Sequence, residues 1–158
     1  MTKKTLFIGT ILLVLSLCAT QAQSFRFNPW QSKAKVLTPV NGTLEIPLAG
    51  INDGKAHHFR VKAGDGVMVT FFTLKSRDGV IRAAIDACDV CYKAGKGYAQ
   101  SGDFMVCLNC GQKFASNKIN VIKGGCNPAP LNRVIKGDKL IITMKDINTN
   151  SWYCRYSS

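Results

Sequence analysis

The sequence predicts a mainly β fold, a small sandwich or barrel, and two patterns indicate this class. Short apolar stretches alternate with glycine-containing turns at intervals of roughly ten residues, as in proteins built from many short strands. No long stretch repeats its apolar residues at the period of an amphipathic helix. We therefore expect one β domain, with at most a short helical turn after Cys91.

The predicted strands are short runs rich in apolar and β-branched residues. In chain order they are Thr43–Pro47, His57–Lys62, Gly66–Leu74, Val80–Ile85, Phe104–Val106, Lys113–Ala115, Asn132–Ile135 and Lys139–Met144. Turns with an Asp beside a Gly, at residues 52–54, 64–66 and 77–79, are predicted to connect hairpins because both residues favour tight turns.

The first 22 residues have the layout of a secretory signal peptide. Lys3 and Lys4 precede a long run without charge, and the small residues Thr20 and Ala22 stand where a cleavage site needs them. An uncleaved N-terminal membrane anchor is the alternative. We expect an exported protein, periplasmic or otherwise extracytoplasmic, in which an irregular lead-in follows at 23–42 and one domain occupies 43–158.

Four cysteines form two C-x-x-C pairs, and their spacing is the strongest functional signal in the chain. Fifteen residues separate the pair Cys88 and Cys91 from the pair Cys107 and Cys110, which fits the spacing of zinc ribbons. Four thiolates bind zinc or iron, and they also hold iron–sulfur clusters. These four cysteines are predicted to be metal ligands, for an iron–sulfur cluster or for a single Fe or Zn ion.

The same cysteines could instead form disulfides in an oxidising compartment. Bridges within the C-x-x-C pairs would close very small loops and would stabilise little. Cys126 and Cys154 lie outside the pairs: a disulfide between them is one interpretation, and an accessory position of Cys126 beside the metal is another. The residues predicted to surround the ligands are Tyr92, Tyr98, Gly111 and Asn127.

The chain is strongly basic, with a formal net charge of +12. An exported chain rarely meets nucleic acid, so no nucleic-acid partner is expected; an acidic redox partner or an anionic membrane surface fits the charge. Around the cysteines, residues 92–125 carry five lysines and a single acid, Asp103. This excess of positive charge would offset the negative charge of four thiolates. The sequence predicts no particular oligomeric state.

No catalytic residues are predicted. The only two histidines, His57 and His58, are adjacent, and on a strand their side chains would point to opposite faces. No nucleophile motif accompanies them. The sequence therefore favours a non-catalytic electron-transfer or metal-binding protein over an enzyme.

The order of turns, strands and cysteine loops from Asp78 to Leu131 resembles the cluster-binding region of Rieske proteins. In that family a C-x-H loop and a C-x-x-H-G loop hold a [2Fe–2S] centre, and a Gly/Pro segment covers it. Here Cys91 lies one residue after the first histidine's place, Cys110 stands at the second, and G-G-C-N-P-A-P-L matches the cover. The resemblance implies Rieske-like cluster-binding loops, and cysteines in place of both histidines imply a lower, more ferredoxin-like potential.

Four stretches, at 52–59, 78–98, 105–111 and 119–131, resemble more closely the FtrD-like family of membrane iron–sulfur proteins. They include N-D-G-K-A-H-H-F, M-V-C-L-N-C-G and I-N-V-I-K-G-G-C-N-P-A-P-L, and the resemblance extends over about residues 44–144. It implies an exported or membrane-anchored protein whose partner is a redox protein or an iron permease in the membrane. Some relatives accompany ferrous-iron uptake systems, which need an electron acceptor.

Three functions remain open from the sequence. The first is an exported iron–sulfur or metal-binding protein that transfers electrons or supports iron uptake. The second is a structural or binding module that holds zinc and has no redox activity. The third is a thiol–disulfide oxidoreductase that uses its C-x-x-C pairs.

Overall fold

The structure, a computed structural model, describes residues 34–156 and confirms the mainly β fold. Ten strands lie in this range: β1 (Lys35–Val36), β2 (Thr43–Pro47), β3 (His57–Lys62), β4 (Met68–Lys75), β5 (Ile81–Ile85), β6 (Tyr98–Ser101), β7 (Phe104–Cys107), β8 (Lys113–Ala115), β9 (Val134–Lys136) and β10 (Lys139–Thr143). The predicted signal or anchor and the lead-in up to residue 33 lie outside the described residues. No helix of the described part has the length and apolar character needed to cross a membrane.

The strands form three sheets, and the central one separates two hydrophobic cores. The central sheet has the order β1-β3-β4-β5, and the two smaller sheets have the orders β2-β10-β9 and β6-β7-β8. Phe71 belongs to the first core, shared with β2 and β10, whereas Phe72 belongs to the second core, shared with β6 and β7. Adjacent side chains on a strand point to opposite faces, so this small sandwich has apolar residues on both faces of β4.

Most strand predictions are confirmed, and the differences have local causes. β2, β3 and β8 have the predicted bounds, and the other predicted strands differ by one or two residues. The turns at 64–66 and 77–79 close the β3–β4 and β4–β5 hairpins. The hairpin predicted at 52–54 is wrong, because β2 pairs with β10 and not with β3.

Three elements were not predicted. β1 pairs in parallel with β3, and β6 pairs with β7 although its sequence, Tyr-Ala-Gln-Ser, gives little strand signal. A helix, α1 (Met144–Thr149), follows β10 directly. Its first turn is capped by Thr143, whose hydroxyl accepts a hydrogen bond from the Asp146 backbone N–H. The predicted helical turn after Cys91 is present as a single 3-10 turn, Tyr92–Ala94.

The turn between β4 and β5 is held by a buried arginine. Arg82 donates hydrogen bonds to the Ser76 hydroxyl (2.8 Å), to the Ile119 carbonyl (2.7 Å) and to the Asp78 carboxylate (2.6 Å). The Ser76 hydroxyl also donates to Asp78. These donors, Ser76 first, hold the pKa of Asp78 at about 2, below the ordinary 3.8.

Asp78 is expected to make the protein sensitive to acid. Because its folded pKa is depressed, its contribution to stability is present above the unfolded pKa of about 4 and is lost as the pH falls towards 2. Asp78→Asn should therefore lower stability at pH 7 and flatten the loss of stability between pH 4 and 2. Urea unfolding at several pH values measures this. An equal pH dependence in the two proteins would contradict the assignment.

Candidate metal centre

Two strands of different sheets deliver the two C-x-x-C pairs to one place. β5 leads directly into the loop that carries Cys88 and Cys91, and β7 ends at Cys107, so that Cys107–Cys110 forms the turn before β8. The turn closes because the Cys107 N–H donates to the Gln112 carbonyl and the Gly111 N–H donates to the Cys107 carbonyl, both at 2.9 Å. The two loops are joined by a hydrogen bond from the Leu108 N–H to the Gly97 carbonyl (2.9 Å).

A third loop, residues 119–131, brings Cys126 next to the two C-x-x-C pairs. Residues 129–131 run along the free edge of β5: the Ile85 N–H donates to the Ala129 carbonyl (2.8 Å), and the Leu131 N–H donates to the Ala83 carbonyl (3.1 Å). The Ala129 N–H also donates to the Ala87 carbonyl, one residue before the first cysteine. This edge pairing fixes the third loop over the first C-x-x-C loop.

The sulfur atoms form two overlapping groups of three that share Cys91. The Sγ atoms of Cys88, Cys91 and Cys126 lie within 4.8 Å of one another, and so do those of Cys91, Cys107 and Cys110. The four predicted ligands are therefore brought together, but they do not all lie within 4.8 Å of each other. Five cysteines of the described chain form one sulfur array.

Hydrogen bonds to sulfur orient this array. The Cys91 N–H donates to the Cys88 Sγ at 3.3 Å, and the Asn109 side-chain amide donates to the Cys91 Sγ at 3.4 Å. Such donors stabilise thiolates and raise the reduction potential of the metal they hold. Asn109 lies inside the second pair and was not singled out from the sequence, although its place in C-L-N-C is a usable signal.

The array is buried on one side and open on the other. Cys88 and Cys107 are 1 % and 2 % exposed, whereas Cys110 is exposed. Burial raises the pKa of Cys107 to about 12, and burial together with the neighbouring Cys110 raises the pKa of Cys126 to about 11. The Gln112 backbone N–H lowers the pKa of Cys110. Without a cation the thiols of Cys107 and Cys126 hold their protons, so a bound metal would have to displace them.

The structure places the four residues that were predicted to surround the ligands on or next to the cysteine loops. Tyr98 is buried, and its hydroxyl donates to the Cys126 carbonyl at 2.6 Å. Tyr92 lies beside Cys91 and packs edge-on against Trp152. Gly111 closes the second cysteine turn with a φ of 75°, and Asn127 donates from its backbone and its side chain to the Gly124 carbonyl.

A buried carboxylate under the first loop was missed by sequence reasoning. Asp86 accepts a hydrogen bond from the Tyr98 N–H at 2.7 Å, and the His58 Nε2 lies 3.7 Å from the same oxygen. His58 packs against Phe72, while His57 hydrogen-bonds the exposed Asp53. The position of Asp86 two residues before Cys88 was a possible signal, but its partners are distant in sequence.

Cys154 is not part of the array. Its buried thiol points at the Thr70 carbonyl, and burial raises its pKa. The disulfide considered between Cys126 and Cys154 is absent, since both cysteines are free in the structure. The other interpretation of Cys126, a position beside the C-x-x-C pairs, agrees with where the third loop places it.

The chain is similar to one described family and to a solved structure. The family described as membrane iron–sulfur containing protein FtrD-like matches residues 51–153. A comparison with curated proteins finds no match. The chain is also similar to the crystal structure of the quaternary ammonium Rieske monooxygenase CntA in complex with the inhibitor MMV12, with 14 % identity and a TM-score of 0.42. That match covers 77 % of this chain and 36 % of the other, so this chain spans about a third of its length.

Proposed function

Because the chain belongs to the FtrD-like family of membrane iron–sulfur containing proteins, we propose that it holds an iron–sulfur cluster and passes electrons in support of iron uptake. The donor set fits such a group: five cysteine sulfurs converge, and N–H donors point at those of Cys88, Cys91 and Cys110. A thiolate-held cluster, when bound, supplies one-electron transfer.

The spread of the sulfur atoms carries the proposal. A single tetrahedral ion with metal–sulfur bonds of about 2.3 Å needs all four sulfurs within about 3.8 Å of one another. In the described chain no four cysteine sulfurs all lie within 4.8 Å of one another, although two sets of three, which share Cys91, do. An array wider than one coordination sphere suits a centre with more than one metal atom better than a single zinc ion.

Burial argues against thiol–disulfide exchange as the main activity. In each C-x-x-C pair the first cysteine, Cys88 or Cys107, is buried. An exchange reaction needs an accessible thiolate with a lowered pKa. Cys110 is exposed and has a lowered pKa, but its partner in the pair, Cys107, is buried and its pKa is raised to about 12, so the pair is poorly placed to open and close a disulfide.

Elemental analysis with visible spectroscopy of the expressed domain tests the proposal. We expect iron and acid-labile sulfide in equal amounts, and a brown colour that dithionite bleaches. Zinc without colour would replace the proposal by a structural module. A protein with neither metal, in which alkylation finds the paired cysteines oxidised, would favour thiol chemistry.

We further propose that electrons leave through the exposed side of the array to an acidic redox partner or permease in the membrane. Exposed apolar side chains lie on all three cysteine loops: Val90, Leu108, Val121 and Ile122. Exposed lysines at positions 93, 113 and 123 lie on or next to the same loops. An apolar centre with a positive rim is complementary to an acidic partner surface, which would speed association.

Reversing these charges should change the rate of electron transfer to anionic oxidants and to cationic oxidants in opposite directions. For the pair Lys113→Glu and Lys123→Glu, oxidation of the reduced protein by the anion ferricyanide should slow several-fold at low salt. Oxidation by a cationic cobalt(III) complex should accelerate. Stopped-flow measurements at two ionic strengths check this, because screening should remove both effects. The control is reversal of Lys75 and Lys136: Lys75 pairs with Ile81 at the end of β5 opposite to the cysteine loop, and Lys136 lies on β9 of another sheet. Equal effects from this pair would contradict a local role.

Export and anchoring are proposed on the signal-like pattern of residues 1–22. Fractionation of cells that express the full chain tests this, together with mass measurement of the product. A mature chain that begins near residue 23 in the exported fraction supports a cleaved signal, and a full-length chain in the membrane supports an anchor. Full-length protein in the cytoplasm would contradict both.

A further inference from the structure

Cys126 lies close to both cysteines of the first C-x-x-C loop. Its Sγ lies within 4.8 Å of both Cys88 and Cys91. A four-thiolate centre needs one sulfur fewer than the five that the array offers. If the Cys91 sulfur is set aside, two close pairs remain, one of Cys88 with Cys126 and one of Cys107 with Cys110.

We propose that Cys126 is an exchangeable ligand, a thiolate on the third loop that can take the place of Cys91 at the metal centre. This inference rests on the proposed metal-binding function and specifies which sulfurs provide it. Cys91 and Cys126 are the two half-buried members of the array, between the buried pair and the exposed Cys110. Either can therefore reach the centre from its open side.

The third loop holds the Cys126 backbone within reach of the array. The Tyr98 hydroxyl fixes the Cys126 carbonyl at 2.6 Å, and Asn127 closes the turn onto Gly124. Gly124 and Gly125 both have positive φ, 84° and 62°, a conformation in which glycine avoids steric strain. The backbone anchor keeps the thiol beside the array through small changes of the loop.

The exchange is balanced in atoms and charge. The Cys126 thiol gives up its proton as its sulfur binds the metal, and the departing Cys91 sulfur takes up one proton. No electron is transferred and no further reactant is needed. The centre would thus have two ligand sets, which differ in the hydrogen bond that the Asn109 amide donates to the Cys91 Sγ. Because such bonds tune the potential of a metal centre, the two sets should differ in potential.

Removal of the two thiols singly and together tests the proposal. Cys91→Ala should keep at least half of the iron and sulfide of the unmodified chain, with a shifted visible spectrum. Cys126→Ala should keep nearly all of both, and the double variant should fall at least fivefold below Cys91→Ala. The matched control is Cys91→Ala with Cys154→Ala, which removes a buried thiol outside the array and should equal Cys91→Ala. Equal metal content in Cys91→Ala and the Cys91/Cys126 double variant would overturn the proposal.

A second measurement does not depend on how a variant folds. In the unmodified, reduced chain, Cd²⁺ should slow alkylation of both Cys91 and Cys126 in part, as read by mass spectrometry, because only one of the two thiolates would be bound at a time; the exposed Cys110 should be slowed at least fivefold. An unchanged rate at Cys126 would overturn the exchangeable ligand. A slowing of at least fivefold at both Cys91 and Cys126 would mean that they bind together and would also overturn the exchange. This measurement uses Cd²⁺ and needs no iron. If the chain takes up no iron and sulfide, the proposed cluster is rejected, and the role of Cys126 is still decided by its protection with Cd²⁺.

Discussion

Replacement of Cys107 by serine should release the bound metal and lower the stability of the loaded protein by about 4 to 6 kcal/mol. Two effects add up. The Cys107 sulfur is a member of the group with Cys91 and Cys110, so its loss weakens binding, and metal at a hundredfold excess over its Kd contributes about 2.7 kcal/mol. Cys107 is 2 % exposed and lies in the second core. An unpaired serine hydroxyl at this position costs about 1 to 3 kcal/mol.

Metal content and thermal unfolding of loaded and metal-free protein measure the two effects separately. The control is Cys154→Ser, a buried thiol of the other core that should destabilise the protein and leave its metal content unchanged. The loss in Cys107→Ser should be larger in the loaded protein than in the metal-free protein. A variant that retains its full metal content would show that Cys107 is not a ligand.

Gly97→Ala should destabilise the protein by about 2 to 5 kcal/mol and disturb the first cysteine loop. A Cβ at Gly97 would lie 2.3 Å from the Asp86 Oδ2, and this carboxylate is buried and accepts the Tyr98 N–H. Overpacking of this kind costs about 1 to 3 kcal/mol. The φ of +68° at Gly97 adds about 1 to 2 kcal/mol for any residue with a Cβ.

Gly102→Ala is the matched control for this substitution. Gly102 also has a positive φ, +57°, but nothing lies within 4 Å of its Cβ position. It should therefore show only the backbone cost, so the difference between the two variants isolates the contact with Asp86. Urea unfolding of the metal-free proteins gives both values. Equal losses would mean that Asp86 moves aside without cost.

The strands could be predicted from the sequence because each is a local pattern. β2, β3 and β8 were predicted with their observed bounds from short apolar runs that end at turns. β6 could not be predicted, since Tyr98–Ser101 becomes a strand through its pairing with β7 and through the burial of Tyr98 in the second core. The six-residue α1 is too short to give an apolar repeat, although Thr143 and Asp146 mark its start.

The candidate site likewise has one part that the sequence predicted and another that depends on the tertiary structure. Spacing alone indicated four sulfur ligands, because each C-x-x-C pair is a local turn. The positions of Cys126 and Asp86 depend on long-range pairing, since the edge of β5 holds the third loop and the backbone of β6 binds the carboxylate. Cys126 and Cys154 look equivalent in the sequence, yet they lie in different cores.

The sequence by itself determined the β class and the two C-x-x-C pairs, and its resemblance to the FtrD-like family agrees with the family match over residues 51–153. These features are set by residues within a few positions of one another, or by a continuous stretch of chain. Only the tertiary structure decided that five sulfurs share one array and that Cys91 belongs to both groups of three. The physical reason is that β5 and β7 lie in different sheets, and the relative position of their ends depends on packing across the second core, which no local pattern encodes.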